Sequence, residues 1–275
     1  MYFPYEGGDR KFRGLPYQKY LAHKQGSNPW NQPYPPEKHL HLWAARVPIS
    51  EIVEQIDVAH AFKSWLKGSD PRKGVLLKIL RDAHIPFNHI GLGGSFSLGC
   101  QTTESDLDIL IYGVRHIAPC LRVLRSALLS DDAQLMSSEL ASGYAQRYGK
   151  LYNLPFDHLF PLFARDLTKL YVEGYKISFI FTYNENEQHQ IPKCLYQRPA
   201  IGEVTLRARI ISSNFSWSFP RKYCLEAVDG TQYHLWSYHW LHKAMTNAGT
   251  IVEVNADKVS KKNLILVKLR HHIME

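Results

Sequence analysis

The chain has 275 residues, 45% of them hydrophobic and 21% charged, with 33 Lys and Arg against 25 Asp and Glu for a formal net charge of +8. This balance excludes a disordered chain and a disulfide-stapled miniprotein, and no apolar run approaches the roughly 20 residues of a membrane-spanning helix, so no membrane partner is expected. The opening MYFPYEGGDR lacks the basic stretch and apolar core of a secretory signal, and Cys100, Cys120, Cys194 and Cys224 stand far apart without C-x-x-C spacing, which reads as mostly buried, reduced thiols in a cytoplasmic protein.

The charge is unevenly spread. Residues 191–275 hold 12 basic and 6 acidic side chains, a net +6, whereas residues 1–190 hold 21 and 19. A basic C-terminal third points to a polyanionic partner, RNA or DNA.

In chain order, residues 1–45 read as an irregular arm rich in Gly, Pro, Tyr and Asn. Ser50 is placed to cap a helix, and Val75, Leu76, Ile79 and Leu80 give residues 71–83 a helical period. Residues 85–92 and 107–112 read as strands, 117–129 and 137–151 as helices, and 175–183 as a third strand. From there the pattern turns β-rich. Val204, Leu206, Ala208 and Ile210 alternate with Thr205, Arg207 and Arg209, and further strands are expected at 223–227, 251–254 and 264–269. The elements over 46–190 therefore read as an α/β or α+β core, followed by a smaller, basic, mostly β domain over 191–275 with a barrel-like pattern.

One segment carries chemistry: GLGGSFSLGCQTTESDLDILIYG over residues 91–113. Gly91, Gly93 and Gly94 follow a strand and permit positive φ and close approach of a ligand to bare backbone. Ser95 opens a short helix, where free N–H groups favour phosphate. Asp106 and Asp108 sit two apart in a strand, so both carboxylates leave one face while Leu107, Ile109 and Ile111 leave the other. Two carboxylates that close call for a cation between them, and hard oxygen ligands beside a phosphate cradle suit Mg²⁺ shared with a nucleoside triphosphate.

A Gly94-Ser95 turn followed by Asp106-Leu107-Asp108 resembles the nucleotidyltransferase superfamily with the DNA polymerase β-like fold, in particular its minimal members in bacteria and archaea. The resemblance covers about residues 70–183. It implies the α+β class and a polymerase β-like core, a mixed sheet flanked by helices, in which Gly93, Gly94 and Ser95 bind the nucleotide, Asp106 and Asp108 are catalytic and bind Mg²⁺ or Mn²⁺, and an acceptor hydroxyl attacks the α-phosphorus of an NTP with two metal ions assisting. The family supplies a third carboxylate from a later strand. Here that slot falls on Ser178 or a neighbour, with Glu173, Glu185 and Glu187 as substitutes and Asp157 and Asp166 as weaker ones. A chain that has lost this group is alternatively a degenerate member of the fold serving as a nucleic-acid-binding or regulatory module.

Arg147, Lys150 and Lys176 are candidates for contact with a triphosphate or an acceptor backbone, and Arg207 and Arg209 for a phosphate-tracking stripe. Trp236, Tyr238 and Trp240 are either base-stacking or core residues. The His39/His41 and His271/His272 pairs lack a third metal ligand nearby in sequence.

Overall fold

The structure, a computed structural model, describes residues 55–193, 195, 200–238, 242, 243, 247–261, 263–267, 273 and 274, together with the backbone of three short strands before residue 20. Those strands, β1 (Tyr2–Pro4), β2 (Arg10–Phe12) and β3 (Leu15–Lys19), form an antiparallel sheet in the order β1-β3-β2. The segment read as irregular thus contains regular structure; strands of three to five residues are too short to show an alternation.

Helix α1 (Val58–Lys67) starts where Asp57 Oδ1 accepts the N–H groups of Ala59 and His60, at 2.9 and 3.0 Å. The expected cap Ser50 lies outside the described residues, and residues 55–57 are not helical. Helix α2 (Lys73–Asp82) buries Leu76, Ile79 and Leu80. The strand expected over 85–92 shrinks to β4 (Ile90–Leu92) behind a 3-10 turn at Phe87–His89. Pro86 explains the loss, because it lacks the N–H a ladder needs. A four-residue helix α3 (Gly94–Ser97) follows, then β5 (Leu107–Tyr112) and α4 (Ile117–Leu129).

Helix α5 (Ser138–Tyr152) is capped by Ser137, whose Oγ accepts the Leu140 N–H at 3.3 Å. Ser137→Ala is expected to cost about 1 kcal/mol, read from the urea midpoint at unchanged m-value. Helix α6 (Phe156–Ala164) and β6 (Lys169–Val172) were not legible in the sequence, because Pro161 interrupts the helical pattern and the strand is only four residues long. Strand β7 (Tyr175–Thr182) completes the first half.

The first sheet runs β4-β5-β7-β6. Strands β5 and β7 are parallel, in a register that sets Asp108 beside Ser178, and β4 and β6 are antiparallel edges. One face buries Leu107, Ile109, Ile111, Ile177, Phe179 and Phe181 against α1, α2 and α4. Strand β9 (Ser218–Phe219), from the second half, pairs with Phe181 and Thr182 of β7. Because β5 already occupies the opposite edge of those residues, β9 lies on the β6 side.

The second half is a barrel of β8 (Gly202–Phe215), β10 (Arg221–Ala227), β11 (Gln232–Ser237), β12 (Ile251–Ser260) and β13 (Leu264–Val267). Strands β8, β10 and β11 form an antiparallel meander, β11 pairs in parallel with β13, and β13 returns through β12 to β8, closing the ring. Strand β14 (Ile273–Met274) pairs with β12. Ala208, Ile210, Tyr223, Leu225, Leu235, Val252, Val254 and Ile265 fill the interior. A further cluster of Tyr183, Ile191, Leu195, Trp236, Val259 and Leu264 joins the barrel to the end of β7. The architecture is α+β with mixed sheets and helices, and among the described residues no helix is long and apolar enough to cross a membrane.

Candidate functional site

The glycine turn and the two aspartates come together at the β4–β5 edge of the first sheet. Alternation along β5 buries Leu107, Ile109 and Ile111 and leaves Asp106 and Asp108 half-buried on the other face. The Gly93 N–H donates to the Asp108 carbonyl at 2.8 Å, which ties the turn to the strand. Gly94 has φ +62°, and a Cβ there would lie 2.2 Å from Asp108 Oδ2. Only glycine allows the backbone to approach that carboxylate so closely. Ser95 is buried in α3 beside it, and Ser97 Oγ donates to the Gly94 carbonyl at 2.8 Å.

Ser178, in register with Asp108 on β7, donates its hydroxyl to Asp106 Oδ2 at 3.2 Å. Two residues earlier on the same face, Lys176 Nζ lies 3.0 Å from the same oxygen. Burial works to raise the Asp106 pKa, but attraction to Lys176 and the hydrogen bonds of Lys176 and Ser178 overrule it, so the carboxyl stays ionised below the usual range. Burial likewise disfavours the Lys176 ammonium, and Asp106 overrules it and raises the Lys176 pKa.

No described carboxylate takes the third position. Glu173 sits exposed in the turn between β6 and β7, five residues from Ser178 and so roughly 16 Å along the strand. Glu185 lies beyond the other end of β7 and is exposed. Glu187 closes a capping box with Asn184 and also accepts the Val114 N–H at 3.1 Å. Asp157 is exposed in the first turn of α6, and Asp166 is buried against Lys243. Among the described residues no three His, Cys, Asp or Glu side chains converge as a metal-binding group. The donor set therefore suits one divalent cation held by Asp106 and Asp108 and completed by phosphate oxygens and water, with an ammonium beside it.

Two residues that the sequence did not single out stand at this centre, and the first of them positions it. Arg72, at the head of α2, forms a bidentate pair with Asp70, at 2.9 and 2.8 Å. Its Nη1 donates to the carbonyls of Ser105 at 3.3 Å and Lys176 at 3.1 Å, pinning together the strand starts that carry Asp106 and Lys176. Lys169 opens β6 directly across from Ser178. Its burial, then repulsion from Lys176, hold its pKa below the ordinary lysine value despite attraction to Asp166, Asp106 and Asp108. The Asp70-Pro-Arg72 triplet just before a helical period was the only sequence signal for the first, and nothing marked the second.

The remaining candidates are dispersed. Arg147 and Lys150 are exposed on α5, with the Arg147 guanidinium 5.9 Å from the Tyr148 ring. Arg207 and Arg209 are exposed on β8 as the alternation predicts, but Arg207 stands opposite Glu253 and Arg209 opposite Glu226. Opposite charges at paired positions blunt a phosphate-tracking stripe. Trp236 is 1% exposed and belongs to the core cluster at the junction, so it offers no stacking surface. Tyr238 meets Phe219 edge-on at 5.6 Å. Cys100 and Cys120 are buried, and burial pushes the Cys120 thiol up to about 12. Trp240, Cys194 and both His pairs lie outside the described residues.

A cavity of about 680 Å³ lies between α1 and the loop after α3, lined by His60, Trp65, Asp70, Phe96 and Gln101 among others; Asp106 and Asp108 are not part of its wall. Comparison with known proteins finds no matching family model, no matching curated sequence and no matching solved structure.

Proposed function

We propose that this chain binds a nucleoside triphosphate with one divalent cation at Gly93, Gly94, Ser95, Asp106 and Asp108, and transfers the nucleoside monophosphate to a nucleic-acid hydroxyl. The observation that carries the reading is the approach of Gly94 to the Asp108 carboxylate on β5, with Asp106 just before that strand two residues away. Bare backbone beside paired carboxylates is a place for phosphate oxygens and a cation together. The polymerase β-like core expected from the Gly94-Ser95 and Asp106-Leu107-Asp108 spacing belongs to the same proposal.

When bound, the cation would neutralise charge on the leaving phosphates. The chain supplies the rest. Gly93 and Gly94 present backbone to the phosphates, and Arg72 holds the two strands in register. Lys176 provides a fixed positive charge beside Asp106. The acceptor oxygen would bond to the α-phosphorus, the bond from that phosphorus to the pyrophosphate oxygen would break, and the hydroxyl proton would pass to solvent.

A second reading is favoured by one observation: Asp106 is already paired with Lys176 and Ser178, so the centre is balanced without a second metal. In that reading the chain binds nucleotide or nucleic acid without turnover. The experiment incubates the protein with each α-³²P-labelled NTP, Mg²⁺ or Mn²⁺, and RNA or DNA, with Asp106→Ala/Asp108→Ala as control. Label on one acceptor class, lost by at least about 100-fold in the double variant, supports transfer. Binding of NTP or nucleic acid without label supports the second reading.

A further inference from the structure

Strand β10 begins with a buried guanidinium whose hydrogen-bonding capacity the fold leaves partly unused. Arg221 shares the face of Tyr223 and Leu225, so it sits at one end of the barrel interior, 5% exposed. Its Nε and Nη1 are buried without a hydrogen-bond partner, and its guanidinium carbon lies 5.6 Å from the Phe219 ring. The barrel end faces the loop between α6 and β6. There Lys243 Nζ lies 2.6 Å from Asp166 Oδ2 and 2.5 Å from Thr168 Oγ1, and Lys169 follows in the chain. Arg221, Lys243 and Lys169 all interact electrostatically with Asp166. Arg221 and Lys243 thus share Asp166 in a buried seam, and Lys169 beside them is drawn to Asp166, Asp106 and Asp108 alike. Burial pushes Arg221 down to about 10 and Lys243 down to about 8. Folded proteins seldom leave guanidinium donors buried without a partner, because each such donor costs desolvation free energy. A seam with excess cations is suited to an anion that arrives from outside.

The sheet order says which anion. Along β4-β5-β7-β6 the glycine turn stands on the β4 side of the Asp pair, whereas Lys169 and the seam stand on the β6 side. Asp108, Ser178 and Lys169 occupy consecutive register positions, so Lys169 is two strand spacings, roughly 10 Å, from Asp108. An in-line transfer needs donor phosphates and attacking strand on opposite sides of the centre. We propose that Arg221 and Lys243 form a phosphate seat for the backbone of the acceptor nucleic-acid strand on the β6 side of the triphosphate site, with Lys169 between the seat and the Asp pair. The proposal rests on the transfer reading above and assigns its acceptor side. It also gives the +6 of the C-terminal region a location other than the Arg207/Arg209 stripe.

The same phosphate chemistry is presented by an oligonucleotide and by a triphosphate, so the experiment has two arms. A labelled single-stranded RNA and an NTP with Mg²⁺ are titrated separately into wild type and Arg221→Met, with thermal melts of both proteins. The expected result is a melting temperature equal to or above wild type, since a buried charge with unused donors has been replaced by apolar volume. RNA affinity falls about 10-fold and the slope of log Kd against log salt shrinks by about 0.7, while NTP affinity is unchanged. Unchanged RNA affinity and slope overturn the proposal. So does weakened NTP with unchanged RNA binding, which would make the triphosphate the occupant. A lowered melting temperature with both ligands lost assigns Arg221 a structural role instead. If Arg221→Met does not fold, Arg221→Lys carries the test: it keeps the charge and the slope but loses the planar fork, so RNA affinity falls several-fold, and unchanged affinity overturns the seat. Asp106→Ala/Asp108→Ala separates the two levels. Loss of label there with RNA affinity retained leaves the seat testable whether or not transfer occurs.

Discussion

Gly94→Ala is expected to lower NTP binding and any nucleotidyl transfer by about 100-fold or more, with the fold retained. The new Cβ would stand 2.2 Å from Asp108 Oδ2 and 3.2 Å from its Cγ. The Gly93 N–H, held by the Asp108 carbonyl at 2.8 Å, opposes a backbone shift away from the strand. The carboxylate is therefore expected to swing away, and one of the two oxygen donors leaves the place where a cation would sit. The left-handed backbone adds a cost of about 1–2 kcal/mol for any L side chain at φ +62°. Gly99 provides the control. It has φ +64° and nothing within 4 Å of its Cβ position, so Gly99→Ala carries the same backbone strain without the clash. Calorimetric titration of NTP with Mg²⁺, beside melting curves, should show both variants destabilised to a similar small extent and only Gly94→Ala defective in binding. Equal binding defects in the two would mean that loop strain, not the approach to Asp108, matters.

The contrast between these two glycines shows what the sequence could carry. Spacing was sufficient to place Gly94 and the Asp pair together, because strand alternation fixes the face of Asp106 and Asp108 wherever the strand ends. It was sufficient for α4, whose amphipathic run is long, and for β8, where Val204 to Ile210 alternate through the barrel wall. It failed where tertiary partners decide. The seam brings Asp166 to Lys243, 77 residues later, and Arg221 sits at the head of an ordinary-looking strand. Nothing local marks either. The aromatic run after residue 232 left stacking and core readings open, and β11 decides for Trp236 by turning it into the junction between barrel and sheet. Lys176 was legible as a candidate phosphate contact and Ser178 as a strand position without a carboxylate. That both pair with the same oxygen of Asp106 was not, since it depends on the register of β7 beside β5.

Asp166→Asn is expected to destabilise the protein by about 3–5 kcal/mol, measured by urea unfolding, because it leaves the buried Lys243 and Arg221 without the carboxylate they share. Asn is the informative substitution. Asp166 Oδ1 accepts the Thr168 N–H at 3.0 Å and the Thr168 hydroxyl at 2.8 Å, and an amide oxygen can keep both. The loss then reports charge and not the turn. Adding Lys243→Met to Asp166→Asn should recover much of the deficit, since the double variant buries one cation fewer. The pH dependence has two signs. Burial would raise the Asp166 pKa, but Lys243 and Lys169 hold it below the ordinary 3.8. Its contribution is therefore complete above the unfolded value and is lost as pH falls through 3.8 toward the folded one, a loss absent in Asp166→Asn. Lys243, which burial lowers from 10.5 to about 8, works oppositely. Between those values the unfolded chain binds more protons, so its contribution to stability rises with pH and disappears in Lys243→Met. Both dependences should be weakened by a saturating single-stranded oligonucleotide if the seam is its seat. The added phosphate would then supply the anion that Asp166 alone cannot, and Asp166→Asn should gain more stability from the same oligonucleotide than wild type does.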